Sequence, residues 1–260
     1  ASYEIPEHYE SILKKSISVV TPNKIACSSS YPEYQNLKST ALKYRTKYLF
    51  ETNVGAGLPI ISTLNDLMKS GDKILEIQAV LSGSLNFIFN NFDDEVLFTD
   101  IVQQAKEEGY TEPDPRIDLS GLDVQRKLLI LMRESGIPCE LADIHGEPFL
   151  SEACMEAPDV ASFFTHLSAS EGDMREMYLK AKEKGAKLKY VATYKDGKAS
   201  TGLQEIPADH PFFNLDGKDN IVLFYTNRYK EQPLVVKGAG AGAEVTASGI
   251  FADIIKVANS

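Results

Sequence analysis

The sequence predicts an α/β fold with a mixed sheet carrying helices. Three observations lead there. A strand–helix–strand run lies near the start, which implies a parallel pair. Asp196-Gly197 sits between two β-rich runs, a hairpin signal that implies antiparallel strands later in the chain. Several stretches between them space their apolar residues as one face of a helix does. At 260 residues the chain can bury a core without covalent staples.

Residues 8–15 read as a surface helix ending at Lys14-Lys15, and the β-branched run 16–21 reads as a buried strand stopped by Pro22. Tyr34, Leu37, Ala41 and Tyr44 give 31–45 a helical face, and 47–51 is the second strand. Val54-Gly-Ala-Gly-Leu-Pro59 is a glycine turn entering a helix, with Pro59 at a favoured first-turn position. Ile60, Leu64, Leu67 and Met68 form that helix's apolar face, and Ser70-Gly71-Asp72 stops it. Residues 74–80 are a strand, Ser82-Gly83-Ser84 opens a helix through Phe92, and 99–107 form another helix closed by Gly109. A polar loop leads to a strongly apolar helix from Asp123 to about Arg133. Beyond it, 159–167 and 172–184 read as helices, 187–194 and 199–206 as the hairpin, and 220–227 and 233–237 as strands. An apolar helix from Val245 to Ala258 closes the chain.

Bulk properties narrow the function. A hydrophobic content of 43% and charged content of 25% are those of an ordinary globular protein. A formal net charge of −10 argues against non-specific nucleic-acid binding. No apolar run approaches the roughly 18 residues of a spanning helix, so no membrane partner is expected. The first residues lack the basic flank and apolar stretch of a secretory signal. Cys27, Cys139 and Cys154 are widely spaced, which points to reduced thiols and a cytoplasmic location. His8, His145, His166 and His210 share no ligand spacing.

The chemistry concentrates in 109–127. Glu112, Asp114, Asp118 and Asp123 crowd a loop stiffened by Pro113 and Pro115, and Lys127 follows Asp123 at i+4 on one helix face. An exposed ion pair at that spacing contributes only about 0.3–0.5 kcal/mol. Here the surrounding helix is apolar, so the lysine is expected to be buried, to need a carboxylate, and to be tunable as an acid–base group. Fixed carboxylates suit a substrate with hydroxyl or ammonium donors, and they would equally suit a divalent metal. Lys24 follows a strand, where open α/β sheets bind ligands, although spacing alone favours a surface lysine. Gly238-x-Gly240-x-x-Ala243 matches the dinucleotide fingerprint in form. Only 17 residues follow Ala243, too few for the second strand and its ribose-binding acid about 20 positions on. A tight strand-to-helix turn, or a helix packed back on the first strand–helix–strand unit with its amide-rich start facing a ligand, explains it better.

Taken together, 20–24 (Val-Thr-Pro-Asn-Lys), 51–59 (Glu-Thr-Asn-Val-Gly-Ala-Gly-Leu-Pro), 81–88 (Leu-Ser-Gly-Ser-Leu-Asn-Phe-Ile), 109–116 (Gly-Tyr-Thr-Glu-Pro-Asp-Pro-Arg), 118–127 and the glycine run 238–242 resemble homoserine dehydrogenase. The segment from about 139 to 230 resembles the enzyme half of bifunctional aspartokinase–homoserine dehydrogenases. The resemblance implies NADPH- or NADH-dependent interconversion of aspartate 4-semialdehyde and homoserine, on the route to threonine and methionine. It implies Lys127 as proton donor and acceptor and Lys24 as the second lysine at the reacting centre. Glu112 and Asp123 would hold the substrate with Asp118 in support, and Gly109 and Gly242 would contact the cofactor. Glu51, Val54, Ala56 and Leu58 match a sodium site made mostly of backbone carbonyls. It further implies a homodimer and, in the parent chain, a kinase domain. The family's Gly-rich phosphate loop has no counterpart in the 22 residues before Asn23. The expected fold is therefore an incomplete Rossmann-like remnant (1–50 and 238–260) plus an α+β catalytic and dimerisation domain with a mixed sheet (51–237). The cofactor site is expected to be incomplete, and the isolated chain to lack or nearly lack turnover. A non-catalytic amino-acid-binding and dimerisation module is the alternative.

Overall fold

The computed structural model describes residues 2–259. A 3₁₀ turn at Ile5–His8 runs into helix α1 (Tyr9–Leu13), and strand β1 is only Val19–Val20. Helix α2 (Tyr31–Lys43) starts at a Ser30/Glu33 capping box, which satisfies otherwise orphaned backbone donors. Strand β2 (Tyr48–Leu49) pairs with β1 in parallel, as the strand–helix–strand reading requires. Both strands are shorter than their apolar runs. Ser16 turns the chain at φ 60, and the Ser18 hydroxyl, not its backbone, receives the Lys47 N–H. Glu51, expected to end the second strand, instead opens a 3₁₀ turn (Glu51–Asn53). Its carboxylate accepts from the N–H groups of Ile61 (2.7 Å) and Ser62 (3.0 Å), at the start of α3 (Ile60–Lys69).

Strand β3 (Ile74–Val80), helix α4 (Gly83–Asn91) and helix α5 (Phe98–Glu107) follow close to their apolar patterns. The polar loop contains an unforeseen short helix, α6 (Arg116–Leu119), before α7 (Leu122–Glu134). Strand β4 (Ile144–Gly146) and helix α8 (Glu152–Met155) were also unforeseen, since three or four residues carry too little periodicity to show. Helices α9 (Val160–Ala169) and α10 (Glu171–Glu183) lead to β5 (Lys187–Lys195) and β6 (Lys198–Ile206). Asp196 and Gly197, at φ 50 and 76, make the tight turn between these two strands. Strands β7 (Asp219–Thr226) and β8 (Leu234–Ala239) and helix α11 (Ala243–Ala258) complete the chain.

The larger sheet has the order β4-β6-β5-β3-β7-β8. It is mixed: β4 joins β6 in parallel, and the other pairs are antiparallel. Successive side chains of a strand face opposite ways, so its central strands serve two cores. Ile77, Ala79, Tyr190, Ala192, Val222 and Phe224 join the main core beneath the helices. Val80, Val191, Ile221 and Leu223 face the other side, where Phe212 and Leu215 cover them. Helices α4, α7 and α10 pack on β5, and Leu128, Leu129, Ile130 and Leu131 of α7 are fully buried.

Strand β8 is antiparallel to β7, so the glycines that follow it are no Rossmann phosphate turn. Helix α11 turns back onto the Glu51–Asn53 turn and β1. Gly249 lets it approach, because a Cβ there would stand 2.6 Å from Thr52 Cγ2 and 3.2 Å from the Ala56 carbonyl oxygen. Among the described residues no helix is long and apolar enough to cross a membrane.

Candidate active site

Four chain segments meet in a cleft of about 870 Å³: the turn after β1, the start of α4, the loop and helices from 108 to 127, and the glycine run after β8. Lys24, Gly109, Glu112, Asp118, Asp123, Lys127 and Gly242 all line it. Glu51, Val54, Ala56 and Leu58 lie elsewhere, under α11.

Helix α7 supplies the centre. Gly121, at φ 70, turns the chain into the helix, so Asp123 and Lys127 occupy its first two turns on one face. Asp123 bridges two cations: Lys127 Nζ at 2.9 Å and Lys24 Nζ at 3.1 Å. Burial in the concave cleft pushes the Asp123 carboxyl up, but the two ammonium groups outweigh it and hold the group well below the usual carboxylate range. Lys127, 13% exposed, also donates to the Leu81 carbonyl at 2.7 Å, just past the end of β3. An ammonium has three N–H donors, so one remains for a ligand.

Asp118 behaves differently. Its oxygens accept from Ser84 Oγ and from the Glu112 N–H, each at 2.8 Å, which ties the loop to the start of α4. Burial raises its pKa, the two hydrogen bonds offset part of that, and the nearby charges of Glu112 and Asp123 add to it. Glu112 is exposed in the cleft, and its carboxylate makes no hydrogen bond or ion pair among the described residues. Asp114 is diverted: it pairs with Arg116 at 2.5 Å, which also donates to the Ala157 carbonyl.

The carboxylates therefore do not converge as a divalent-metal cage. Among the described residues no group of three or more His, Cys, Asp or Glu is placed to hold a metal. The four positions of the expected sodium site fit only in part. The Val54 and Ala56 carbonyls accept no hydrogen bond among those described, and Gly55 and Ala56 adopt φ 75 and 52. The Leu58 carbonyl already receives the Ile60 N–H at 2.8 Å, and the Glu51 carboxylate is taken up by the start of α3. For a cofactor, Gly109 and Gly242 leave open ground: a Cβ on either would meet nothing within 4 Å, so a flat ring can approach the backbone there. Ser84, Tyr110, Lys218 and Met155 line the cleft as well. Of these, Ser84 and Tyr110 lie within the motifs 81–88 and 109–116, whereas Lys218 and Met155 carry no sequence signal.

The family model of homoserine dehydrogenase matches residues 59–255. A bifunctional aspartokinase/homoserine dehydrogenase 2 from Zea mays chloroplasts is 46% identical over 263 residues, covering 100% of this chain and 28% of its own length. A homoserine dehydrogenase from Schizosaccharomyces pombe is 40% identical, over 99% of this chain and 70% of its own. A hyperthermophilic archaeal homoserine dehydrogenase solved in complex with NADPH superposes with a TM-score of 0.75 at 29% identity, over 100% of this chain and 70% of that one. The chain thus spans about 28% of the length of the bifunctional relatives it matches. With a match through most of its length, it belongs to the homoserine dehydrogenase family of oxidoreductases.

Proposed function

We propose that this chain is the substrate-handling part of an NAD(P)-dependent dehydrogenase that interconverts L-homoserine and L-aspartate 4-semialdehyde. The observation that carries the reading is the Lys127 ammonium, held by Asp123 and the Leu81 carbonyl, with one donor left in a cleft that also presents Glu112. The family and the NADPH-bound neighbour support the cofactor class. The nicotinamide, when bound, exchanges the hydride.

The chain's own residues do the rest. Lys127 gives a proton to the aldehyde oxygen as it becomes a hydroxyl and takes it back in the reverse direction. Lys24 and Lys127 share a single carboxylate, so the centre keeps an excess positive charge that stabilises the developing alkoxide. Glu112, with no partner of its own, suits the substrate ammonium. Asp118 acts on the substrate indirectly, by fixing the Glu112 backbone. Gly109 and Gly242, with open ground above each, would hold the nicotinamide end of the cofactor. A sodium ion, if bound, would be held chiefly by the Val54 and Ala56 carbonyls, since the Leu58 carbonyl and the Glu51 carboxylate are already engaged. A homodimer and, by analogy with the bifunctional relatives, an aspartokinase part belong to the same reading.

The test is Lys127→Ala in the full-length protein, with homoserine and NADP⁺. Turnover should fall about 10²–10⁴-fold. The 260-residue chain should bind homoserine by calorimetry, and Glu112→Gln should weaken that binding. Homoserine binding without turnover in the full-length protein would favour the binding-module alternative. Unchanged turnover after Lys127→Ala would end the proposal.

A further inference from the structure

Lys127 leans on the Leu81 carbonyl, and that carbonyl lies one residue beyond β3, outside the ladder hydrogen bonds that would hold it still. Its second donor is a side chain from the neighbouring strand, β7. Asn220 of β7, fully buried, donates from Nδ2 to Leu81 O at 3.3 Å. The same side chain fills the place of a missing one at Gly240. A Cβ built there would stand 2.0 Å from Asn220 Cγ, 2.2 Å from Nδ2 and 2.4 Å from Oδ1. Asn220 is thus wedged between the carbonyl that receives Lys127 and the glycine run that reaches the cleft at Ala241 and Gly242.

We propose that Asn220 is a positioning residue for Lys127: it pins the Leu81 carbonyl against the glycine run and so sets where the ammonium stands. The proposal rests on the dehydrogenase reading. Its second support is the other end of the amide. Oδ1 is buried and has no hydrogen-bond partner among the described residues. A buried polar atom without a partner is a cost to folding, and an apolar residue of similar volume would avoid it. Stability therefore does not explain an asparagine here, whereas its one donation to Leu81 does. Neither Leu81 nor Asn220 touches substrate in this scheme. Each acts through Lys127.

The experiment is steady-state homoserine oxidation by the full-length protein carrying Asn220→Leu, which keeps the volume but removes the donor. Displacement of a catalytic group by a fraction of its length lowers the rate steeply, so kcat should fall about tenfold or more. KM for homoserine should stay within about threefold, because Glu112 is untouched. Gly240→Ala, which forces the amide aside from the opposite direction, should reproduce the loss of kcat, and it serves as the test if Asn220→Leu does not fold. A folded variant with wild-type kcat overturns the proposal. So does a loss that only tracks a lowered melting temperature. Lys127→Ala in parallel separates the two levels. If that variant is inactive while Asn220→Leu is normal, only this inference fails; if both turn over normally, the dehydrogenase reading fails with it.

Discussion

Asp118 and Asp123 lie five positions apart and answer to opposite environments. Asp123 faces two ammonium groups, so its folded pKa lies below that of a free aspartate. Its contribution to stability is present above the unfolded value of about 3.9 and is lost only as the pH falls through the lower folded value. With a side chain 46% exposed, that contribution is screened and small. Asp118 is raised by burial, so it takes up a proton at higher pH than a free aspartate, and its share of stability declines as the pH rises through the folded value. A carboxyl-carbon NMR titration of the 260-residue chain should find Asp118 titrating above about 3.9 and Asp123 still ionised well below it. The reverse order would contradict the bridge between the two lysines. The i,i+4 pair of Asp123 and Lys127 was legible in the sequence. The diversion of Asp114 to Arg116 was not, because it depends on a short helix that periodicity does not reveal.

At the scale of the element, α7 places the chemistry. Its apolar run predicted burial, and Leu128 to Leu131 are indeed inaccessible. Its start depends on Gly121. The residue is at φ 70, and a Cβ there would lie 1.9 Å from the Tyr190 hydroxyl on β5. Gly121→Ala therefore meets both backbone strain and a steric clash, and should destabilise the chain by roughly 2–4 kcal/mol. Because Asp123 and Lys127 ride on the first turns, homoserine affinity should drop as well, measured by calorimetry at a temperature where the variant is folded. Full affinity in Gly121→Ala would mean that the helix start does not register the site. Helices of ten or more residues, such as α2, α3, α5 and α7, carried enough apolar repeats to be read to within a residue or two. The strands β1 and β2 were overextended, since a β-branched run shows apolar character but not how many residues find a partner.

The whole molecule turns on a sheet buried on both sides, and Lys189 records how deeply. This lysine of β5 is fully buried and pairs with no carboxylate among the described residues. It donates to Asn86 Oδ1 at 3.0 Å, to the Leu215 carbonyl at 2.7 Å and to Asn90. It thereby ties α4, which opens at the cleft, to the segment that covers the opposite face of the sheet. Burial, aided by the charges of Lys187 and Lys237 against that of Asp216, brings its pKa down from 10.5 to about 8. The unfolded chain thus binds more protons than the folded one between these values, and this group's contribution to stability rises with pH across that window. The rise is on the order of 3 kcal/mol. Urea unfolding at pH 8 and pH 10 should show it as a difference between the wild-type chain and Lys189→Met, which should lack the increment. Parallel behaviour of the two proteins would show that Lys189 is not desolvated.

The sequence by itself determined the mixed α/β class, the longer helices, the β5–β6 hairpin and the carboxylate–lysine pair on α7. All of these rest on local periodicity, turn chemistry or a four-residue spacing, which a linear chain displays. Its motifs also determined the family resemblance, and with it the residues worth watching. Only the tertiary structure decided that Lys24, about a hundred positions away from Asp123 in the chain, shares that carboxylate. It alone decided that Asp118 is spent on Ser84 and the Glu112 backbone, and that Asn220 stands behind the carbonyl that holds Lys127. Apart from the bond between Asp118 and the Glu112 backbone, these contacts join segments far apart in sequence. They are set by which faces of the sheet and helices must be buried together, and no local pattern encodes that.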